Sequence, residues 1–265
     1  MKKTLFVLLF LVGGMAFAQS EQELWIKNGN RNIFGVLSRP AQVEGRKYPV
    51  AIISHGFNGT HWFGKDYFGM MQERGYMCYT FDFPCGSVHS RSDNNTMNMS
   101  VRDEVSDVQA IIDYFLSQPD VDASRIVLVG ESQGGLVSAL AAASRVKQIS
   151  QLVLIYPALC IPDNWNERYH SVADIPDTTR MWNVPLGRQY FMDVRDMDVY
   201  KEIKAYKRPV LIIHGDKDQV VPLSYSQRAL KTYKKARLEV IPNARHGFNP
   251  TERAQAIGWI KDFLK

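Results

Sequence analysis

Five residues near the middle of the chain form a pattern typical of a serine nucleophile. Gly130 to Gly134 reads G-E-S-Q-G, with Ser132 at its centre. The pattern follows a short apolar run, Ile126 to Val129, and precedes a stretch with apolar residues at helical spacing. A strand, this motif and a helix in succession predict a nucleophile elbow, and the flanking elements argue against a chance match.

The elbow makes demands on the backbone that its neighbours meet. Its turn is so sharp that Ser132 must adopt a strained conformation, and Gly130 and Gly134 avoid collisions with nearby backbone. The following helix directs free N–H groups, that of Gln133 among them, at an oxygen that becomes negative during the reaction. The pattern therefore predicts nucleophilic catalysis by Ser132, with Gln133 as one oxyanion donor.

A second oxyanion donor is expected in another loop. His55-Gly56-Phe57 follows a predicted buried strand at residues 49–54. Gly56 lets the backbone approach the substrate, so the backbone N–H of Phe57 is the predicted donor. We expect the ring of His55 to brace this loop instead of acting as a base.

Serine becomes a good nucleophile only when a base takes its proton and an acid orients that base. With an elbow of this kind, the acid and then the histidine follow the serine along the chain. Asp216 and Asp218 lie in one loop after the predicted strand 210–214. We predict Asp218 as the acid, because it lies two residues before the Val-Val-Pro at 220–222 where the chain resumes. Asp216 is better placed to shape the turn, and either aspartate has the alternative of capping the next helix.

His246 is the histidine whose position suits the base. It follows the last predicted strand, residues 237–241, and Gly247 comes next, as in a mobile loop. His214 ends a strand and is expected to be structural. The remaining loop histidines are expected to face solvent: His61, His89 and His170. Because the histidines and cysteines lack metal-ligand spacing, we predict no metal and no cofactor.

Strands alternate with helices along most of the chain, beginning with a hairpin around Asn28-Gly29-Asn30. Strand patterns cover residues 23–27, 31–38, 49–54, 77–81, 125–130, 151–155, 210–214 and 237–241. Helical patterns cover residues 67–74, 101–116, 133–143, 223–233 and 251–264. This alternation predicts an α/β fold, a mostly parallel twisted sheet with helices on both faces.

Residues 157–208 interrupt the alternation. The stretch has no clean periodicity and is rich in aromatic residues: Trp165, Tyr169, Trp182, Tyr190 and Phe191. It leaves the sheet at the carboxyl end of a strand, where α/β enzymes bind ligands, and so long a loop is usually functional. We predict a cap over Ser132; the alternative is a packed insertion that only shields the core.

Length and composition are those of one soluble domain with a leader. The chain has 265 residues, of which 45% are hydrophobic and 22% charged. Residues 1–18 combine two lysines, an apolar run and Ala16-Phe17-Ala18 before Gln19, as in a secretory signal peptide. We predict a mature domain of residues 19–265, periplasmic or secreted. No other stretch is apolar enough to cross a bilayer, so no stable membrane anchor is expected.

Charge and cysteine content limit the partners. Removing Lys2 and Lys3 lowers the formal charge from +5 to +3, too little to indicate nucleic-acid binding. Three cysteines allow one disulfide and one free thiol in an exported protein. A Cys85–Cys160 bridge is compatible with the sequence, whereas Cys78 fits a buried strand. The oligomeric state stays open, a homodimer included.

Four motifs resemble the α/β-hydrolase superfamily: H-G-F at 55–57, G-E-S-Q-G-G at 130–135, H-G-D-K-D-Q-V-V-P at 214–222 and A-R-H-G-F at 244–248. They follow that superfamily's order over nearly the whole mature chain. A closer resemblance is to bacterial cinnamoyl and feruloyl esterases, whose H-G-F loop, G-x-S-Q-G-G elbow and cap position are similar. Two departures are the loop at 82–87, where that family usually has D-x-R-G-x-G-x-S, and the predicted export.

The resemblance extends into the cap and implies its ligand. Residues 174–177 and Leu186-Gly187-Arg188-Gln189-Tyr190 are similar to stretches of those esterases' cap. In that family a cap tyrosine and a cap aspartate bind the phenolic hydroxyls, which implies Tyr190 and, less directly, Asp163. Trp165 is expected to offer a ring to a planar acyl group.

These residues together predict an exported serine esterase. Ser132 attacks an ester carbonyl, His246 moves the proton, Asp218 holds the imidazole, and water releases the acid. The resemblance implies a hydroxycinnamate substrate, a small ester or a feruloylated oligosaccharide of plant cell-wall polysaccharide. The alternatives are an acetyl-xylan or short-chain esterase and, in another class, an inactive carbohydrate- or aromatic-binding protein. A prolyl-oligopeptidase-type peptidase is less favoured, because no large β-propeller precedes the domain in this sequence.

Overall fold

The computed structural model describes residues 20–41 and 43–264 of the chain. The predicted signal peptide, residues 1–18, and the predicted mature start, Gln19, lie outside the described residues. Ten strands form within the described part: β1 (Ser20–Asn28), β2 (Arg31–Arg39), β3 (Tyr48–Ser54), β4 (Met77–Phe81), β5 (Val121–Glu131), β6 (Ile149–Ile155), β7 (Thr178–Met181), β8 (Val184–Gly187), β9 (Val210–Gly215) and β10 (Ala236–Ile241). All but β7 and β8 join one sheet, in the order β1-β2-β4-β3-β5-β6-β9-β10.

The sheet is antiparallel at one edge and parallel elsewhere. β1 and β2 form a hairpin that turns at Gly29, whose φ of +57° lies in the left-handed region, and β2 runs antiparallel to β4. The other strand pairs of the sheet are parallel. The predicted fold class is therefore confirmed. Parallel strands bring their carboxyl ends to one edge, and the loops that hold the predicted catalytic residues leave from that edge.

Helices cover both faces of the sheet. The described α-helices are α1 (Trp62–Lys65), α2 (Phe68–Glu73), α3 (Val101–Leu116), α4 (Ser132–Ser144), α5 (Ile161–Arg168), α6 (Arg188–Val194), α7 (Val199–Ile203), α8 (Leu223–Thr232) and α9 (Pro250–Phe263). None of them is long and apolar enough to pass through a bilayer. In β5, Ile126 and Leu128 pack on the side of α3 and α4, whereas Val127 and Val129 pack on the side of α2 and α9. The strand is buried on both faces, which explains its unbroken apolar run.

The segment between β6 and β9 is built from short elements of its own. It contains α5, the β7–β8 hairpin, α6 and α7. The longest of them, α5, has 8 residues, so no helical or strand periodicity is visible in the sequence. The hairpin turns through Trp182 and Asn183, both with left-handed φ. The rings of Trp165 and Phe191 pack edge to face, 4.7 Å apart, and hold α5 against α6.

All three cysteines are free and buried. The Cys85–Cys160 bridge that the sequence allowed is not formed. Burial raises the pKa of the Cys85 and Cys160 thiols to about 11. Both thiols therefore stay protonated and weakly nucleophilic near neutral pH.

Candidate active site

Ser132 lies where β5 ends and α4 begins, with a φ of +48° in the left-handed region. This is a strained conformation for a residue with a side chain. A Cβ on Gly130 would collide with the carbonyl of Gly134, and a Cβ on Gly134 would collide with the carbonyl of His55. The two glycines therefore permit the tight passage from strand to helix that raises the Ser132 side chain above the sheet.

Two loops from neighbouring strands converge on this serine. His246, in the loop after β10, has its Nε2 3.0 Å from Ser132 Oγ. Its Nδ1 lies 2.7 Å from Oδ2 of Asp218, in the loop after β9. Because a carboxylate only accepts hydrogen bonds, Nδ1 carries the ring proton and the Nε2 lone pair faces the Ser132 hydroxyl. This geometry allows His246 to remove the serine proton.

The surroundings of Asp218 favour its ionised form. Its side chain is fully buried, and its Oδ1 accepts the backbone N–H groups of Val220 and Val221, each at 2.9 Å. Burial alone would raise the pKa of Asp218, but hydrogen bonds from His214 and His246 outweigh it and hold the pKa well below its usual value. Asp218 therefore remains an anion near neutral pH.

Asp216 and His214 have other partners. Asp216 accepts the backbone N–H of Asn243 at 2.6 Å and so links the loops after β9 and β10. The His214 ring is buried between the hydroxyl of Ser226 and the carbonyl of Val221. The structure thus places Asp216 in the turn and His214 in a supporting position, as expected from the sequence.

The other predicted loop histidines differ in exposure. His89 and His170 are exposed, as expected. His61 is buried, and its Nδ1 lies 2.8 Å from Oδ1 of Asp82, so the expectation that it faces solvent is wrong. The loop folds back over the end of β4, a contact that no local sequence pattern reveals.

The two N–H groups proposed as oxyanion donors have no hydrogen-bond acceptor among the described residues. Neither the backbone N–H of Phe57 nor that of Gln133 donates a hydrogen bond to another of the described residues. Gln133 is the second residue of α4, where helical N–H groups lack an acceptor. A Cβ on Gly56 would lie 3.1 Å from the Cβ of Ser132, so the Phe57 loop passes close beside the serine.

Buried side chains brace the Phe57 loop. The Nε2 of His55 accepts the backbone N–H of Phe83 at 3.1 Å, and its Nδ1 donates to the carbonyl of Gly56 at 2.7 Å. Burial lowers the pKa of His55, so the ring is neutral and serves as one acceptor and one donor. The side chain of Glu131 accepts the N–H of Gly56 at 3.3 Å. His55 therefore has the bracing position expected for it.

A cavity of about 370 Å³ opens beside Ser132. Aromatic side chains from the 157–208 segment form much of its wall: Trp165, Trp182 and Tyr190. Trp182 meets the ring of Phe57 edge to face at 5.7 Å, although two-thirds of Trp182 is exposed. Such flat apolar walls suit a planar acyl group.

Two predicted cap residues are placed differently from expectation. The Tyr190 ring lines the cavity, but its buried hydroxyl already donates to Oε1 of Gln133 at 2.7 Å. Asp163 is not brought to this cavity: it accepts the hydroxyl of Tyr225 at 3.0 Å and lines a separate cavity with Arg228. Its place on α5 thus does not bring Asp163 to the cavity beside Ser132, and its role in substrate binding stays a prediction.

Two carboxyl groups near the site belong to no motif that predicts a role for them. Glu131 accepts the hydroxyl of Tyr156 at 2.6 Å, and the Tyr156 ring lies 4.8 Å from the ring of His246. Glu104 is buried on α3, and its two carboxyl oxygens each accept a hydrogen bond from the side-chain amide of Gln133. A signal for Glu104 was available, because it lies four residues before Val108 on the apolar face of the helix.

Glu104 makes stability depend on pH. Burial raises its pKa from 4.5 to about 8, against the opposing hydrogen bond from Gln133. Between these values the folded protein keeps a proton that the unfolded chain has lost. Each pH unit in that window then lowers the free energy of unfolding by up to about 1.4 kcal/mol. The stabilisation that Glu104 contributes is complete below pH 4.5 and is lost as the pH rises to about 8.

Glu104→Gln removes this titration. We expect the melting temperature of the variant, relative to the unmodified protein, to rise steadily from pH 5 to pH 8 and then to level off. Thermal melts followed by circular dichroism at several pH values measure the difference. A difference that stays constant with pH would contradict the raised pKa.

Comparison with known proteins places this chain among serine hydrolases. The sequence model of the prolyl oligopeptidase family (Peptidase_S9) matches residues 62–265. The uncharacterized peptidase YuxL of Bacillus subtilis is 27% identical over 249 residues, which are 87% of this chain and 36% of that protein. Serine hydrolase BPHL of Mus musculus is 22% identical over 160 residues, 53% of this chain and 55% of that protein. The chain thus spans about a third to about half the length of these relatives.

A solved structure matches over nearly its full length. Est1E from Butyrivibrio proteoclasticus, with ferulic acid bound, is 27% identical and aligns with a TM-score of 0.81 over 91% of this chain and 97% of that chain. A second Est1E structure aligns with a TM-score of 0.78 at 25% identity over 91% of this chain and 96% of that chain. The resemblance to α/β-hydrolase serine hydrolases of the bacterial feruloyl esterase type is confirmed.

Proposed function

The chain belongs to the prolyl oligopeptidase family and is a serine hydrolase with the α/β-hydrolase fold, and we propose that it is an esterase for hydroxycinnamic acid esters, feruloyl esters of plant cell-wall polysaccharide in particular. Ser132, His246 and Asp218 are its catalytic triad. Phe57 and Gln133 supply the oxyanion hole through their backbone N–H groups. The 157–208 segment is the cap that receives the acyl group.

The proposed reaction has two stages. Ser132 Oγ attacks the ester carbonyl while its proton moves to Nε2 of His246, 3.0 Å away. The carbonyl oxygen becomes negative and is held by the two N–H donors. When the tetrahedral intermediate collapses, the ester C–O bond breaks and His246 gives the proton to the departing alcohol. Water then attacks the acyl-enzyme by the same route, which releases the acid and restores Ser132.

The aromatic cavity beside Ser132 is the single observation that carries the substrate proposal. A volume of about 370 Å³ accommodates an acyl group much larger than acetate, and the walls are flat rings. The structure of Est1E with ferulic acid bound aligns with 91% of this chain. The cavity therefore supports a planar aromatic acid over a short aliphatic one, and the ferulic acid bound to Est1E agrees with this.

A second candidate is a serine peptidase. The family match and the 27% identity to the peptidase YuxL favour it. Acyl transfer to serine suits amides as well as esters, so the triad does not discriminate between the two. However, this chain covers only 36% of YuxL, whereas it covers 97% of Est1E.

A substrate panel tests the proposal. We expect 4-nitrophenyl ferulate and methyl ferulate to have kcat/KM values at least tenfold above those of 4-nitrophenyl acetate and acetylated xylan, since only the larger acyl group buries its ring in the cavity. Aminoacyl and acetyl-aminoacyl 4-nitroanilides represent the peptidase. A preference for any anilide would reverse the assignment, and a preference for acetate would favour the short-chain esterase.

We propose that the protein is exported, as the pattern at residues 1–18 indicates. Material secreted by a Gram-negative or Gram-positive host is then expected to begin at Gln19. N-terminal sequencing or intact mass of the exported protein measures this. Exported material that begins at Met1 would contradict the proposal.

A further inference from the structure

A buried chain of hydrogen bonds joins the cap to the elbow and to α3. The hydroxyl of Tyr190 on α6 donates to Oε1 of Gln133 on α4, at 2.7 Å. The Nε2 of Gln133 donates to both carboxyl oxygens of Glu104 on α3, at 3.0 and 2.9 Å. At most 2% of each of the three residues is exposed. In so dry an environment an unmatched polar group is costly, so each member constrains the next.

The middle of this chain is part of the proposed catalytic apparatus. Gln133 follows Ser132 directly, and its backbone N–H is a proposed oxyanion donor. Its side-chain amide has both ends occupied, one by Tyr190 and one by Glu104, which leaves it a single orientation. Gln133 and Tyr190 both line the cavity, whereas Glu104 does not. The hydrogen bonds to Gln133 therefore give Glu104 a route to the cavity wall.

Glu104 has no cation to balance it. It forms no ion pair with another described residue. The charged groups that face it are Asp107 on its own helix, Asp193 on α6 and Arg31 on β2. Arg31 is already committed to Asp107, at 2.6 Å. Ionised Glu104 would therefore face two carboxylates in a dry site, and burial raises its pKa to about 8.

We propose that Glu104 is a positioning residue: by holding the Gln133 amide it fixes Tyr190, and with it the cap wall against which a large acyl group packs. This inference rests on the proposed function only in its choice of a feruloyl group as the probe. It assigns the Tyr190 hydroxyl to the protein instead of to the phenolic hydroxyl of the substrate. Acetate does not reach the wall and provides the internal reference.

The first test compares two substrates that share a leaving group, 4-nitrophenyl ferulate and 4-nitrophenyl acetate. Glu104→Leu fills a similar volume but accepts no hydrogen bond. We expect it to lower kcat/KM for the ferulate roughly tenfold, mostly through KM, and to leave the acetate within about twofold. Glu104→Gln keeps an acceptor for Gln133 and should restore the ferulate rate at pH 7. Equal losses on both substrates, or no rescue by glutamine, would overturn the proposal.

The second test remains informative if Glu104→Leu does not fold. In the unmodified enzyme the ratio of the two kcat/KM values should fall severalfold as pH rises through about 8, where Glu104 ionises. In Glu104→Gln the ratio should stay flat. Asp103→Asn is the matched control, because Asp103 is the adjacent but exposed carboxylate of α3 and should follow the unmodified enzyme. The same fall in Glu104→Gln would refute a role for Glu104.

Failure of the substrate proposal gives a different result. If the enzyme prefers another acyl group, the ferulate rate is low in every variant, the unmodified enzyme included. The same variants are then compared on the largest 4-nitrophenyl ester that the enzyme cleaves well, again against the acetate. A flat ratio across variants and pH on that ester rejects the positioning role, whichever acid the enzyme prefers.

Discussion

Ser132→Ala is expected to lose nearly all ester hydrolysis, on the order of 10⁶-fold in kcat, while the protein remains folded. The reason is geometric: the hydroxyl that the substitution removes is the group 3.0 Å from Nε2 of His246, and alanine offers no nucleophile in its place. Steady-state turnover of 4-nitrophenyl ferulate measures the loss. The left-handed backbone at this position is no harder for alanine than for serine, so the fold should tolerate the change.

Ser138→Ala provides a matched control on the same helix. The Ser138 hydroxyl is buried and has no hydrogen-bond partner among the described residues, so its removal should leave turnover close to normal. Both variants should give the same circular dichroism spectrum as the unmodified protein. Activity of Ser132→Ala within tenfold of the unmodified enzyme would mean that another residue is the nucleophile.

Asp218→Asn is expected to lower kcat roughly 10⁴-fold without a comparable loss of folded protein. A neutral amide next to Nδ1 no longer enforces the tautomer in which Nε2 of His246 faces the serine. It also removes the negative charge that stabilises the imidazolium once the proton has moved. Measurements of kcat across pH, with the melting temperature as a check on folding, separate this effect from a loss of stability.

Asp216→Asn is the control for this prediction. It lies in the same loop and keeps an oxygen to accept the backbone N–H of Asn243. We expect turnover within a fewfold of normal and a small change in melting temperature. If Asp216→Asn lost activity and Asp218→Asn kept it, the proposed acid would be the wrong aspartate.

The sequence determined the fold class and the elbow because their requirements are local. The demands of the strand-to-helix turn are met within five residues, Gly130 to Gly134, so a short motif reports them. The alternation of strands with helices indicates a parallel sheet. In such a sheet the loops that follow β5, β9 and β10 must meet at one edge. Ser132, Asp218 and His246 could thus be predicted to converge before any distance was known.

Only the tertiary structure decided which side chains meet inside the cap and beneath the elbow. Gln133 is 57 residues from Tyr190 and 29 residues from Glu104, yet all three hydrogen bonds that join it to them are shorter than 3.1 Å. The short elements between β6 and β9 leave no periodicity from which to predict that Tyr190 turns its hydroxyl inward. Likewise, nothing local indicates that Asp163 lines a separate cavity and not the one beside Ser132. Such contacts arise from packing between elements, which depends on shape and burial over the whole domain and not on the spacing of residues along the chain.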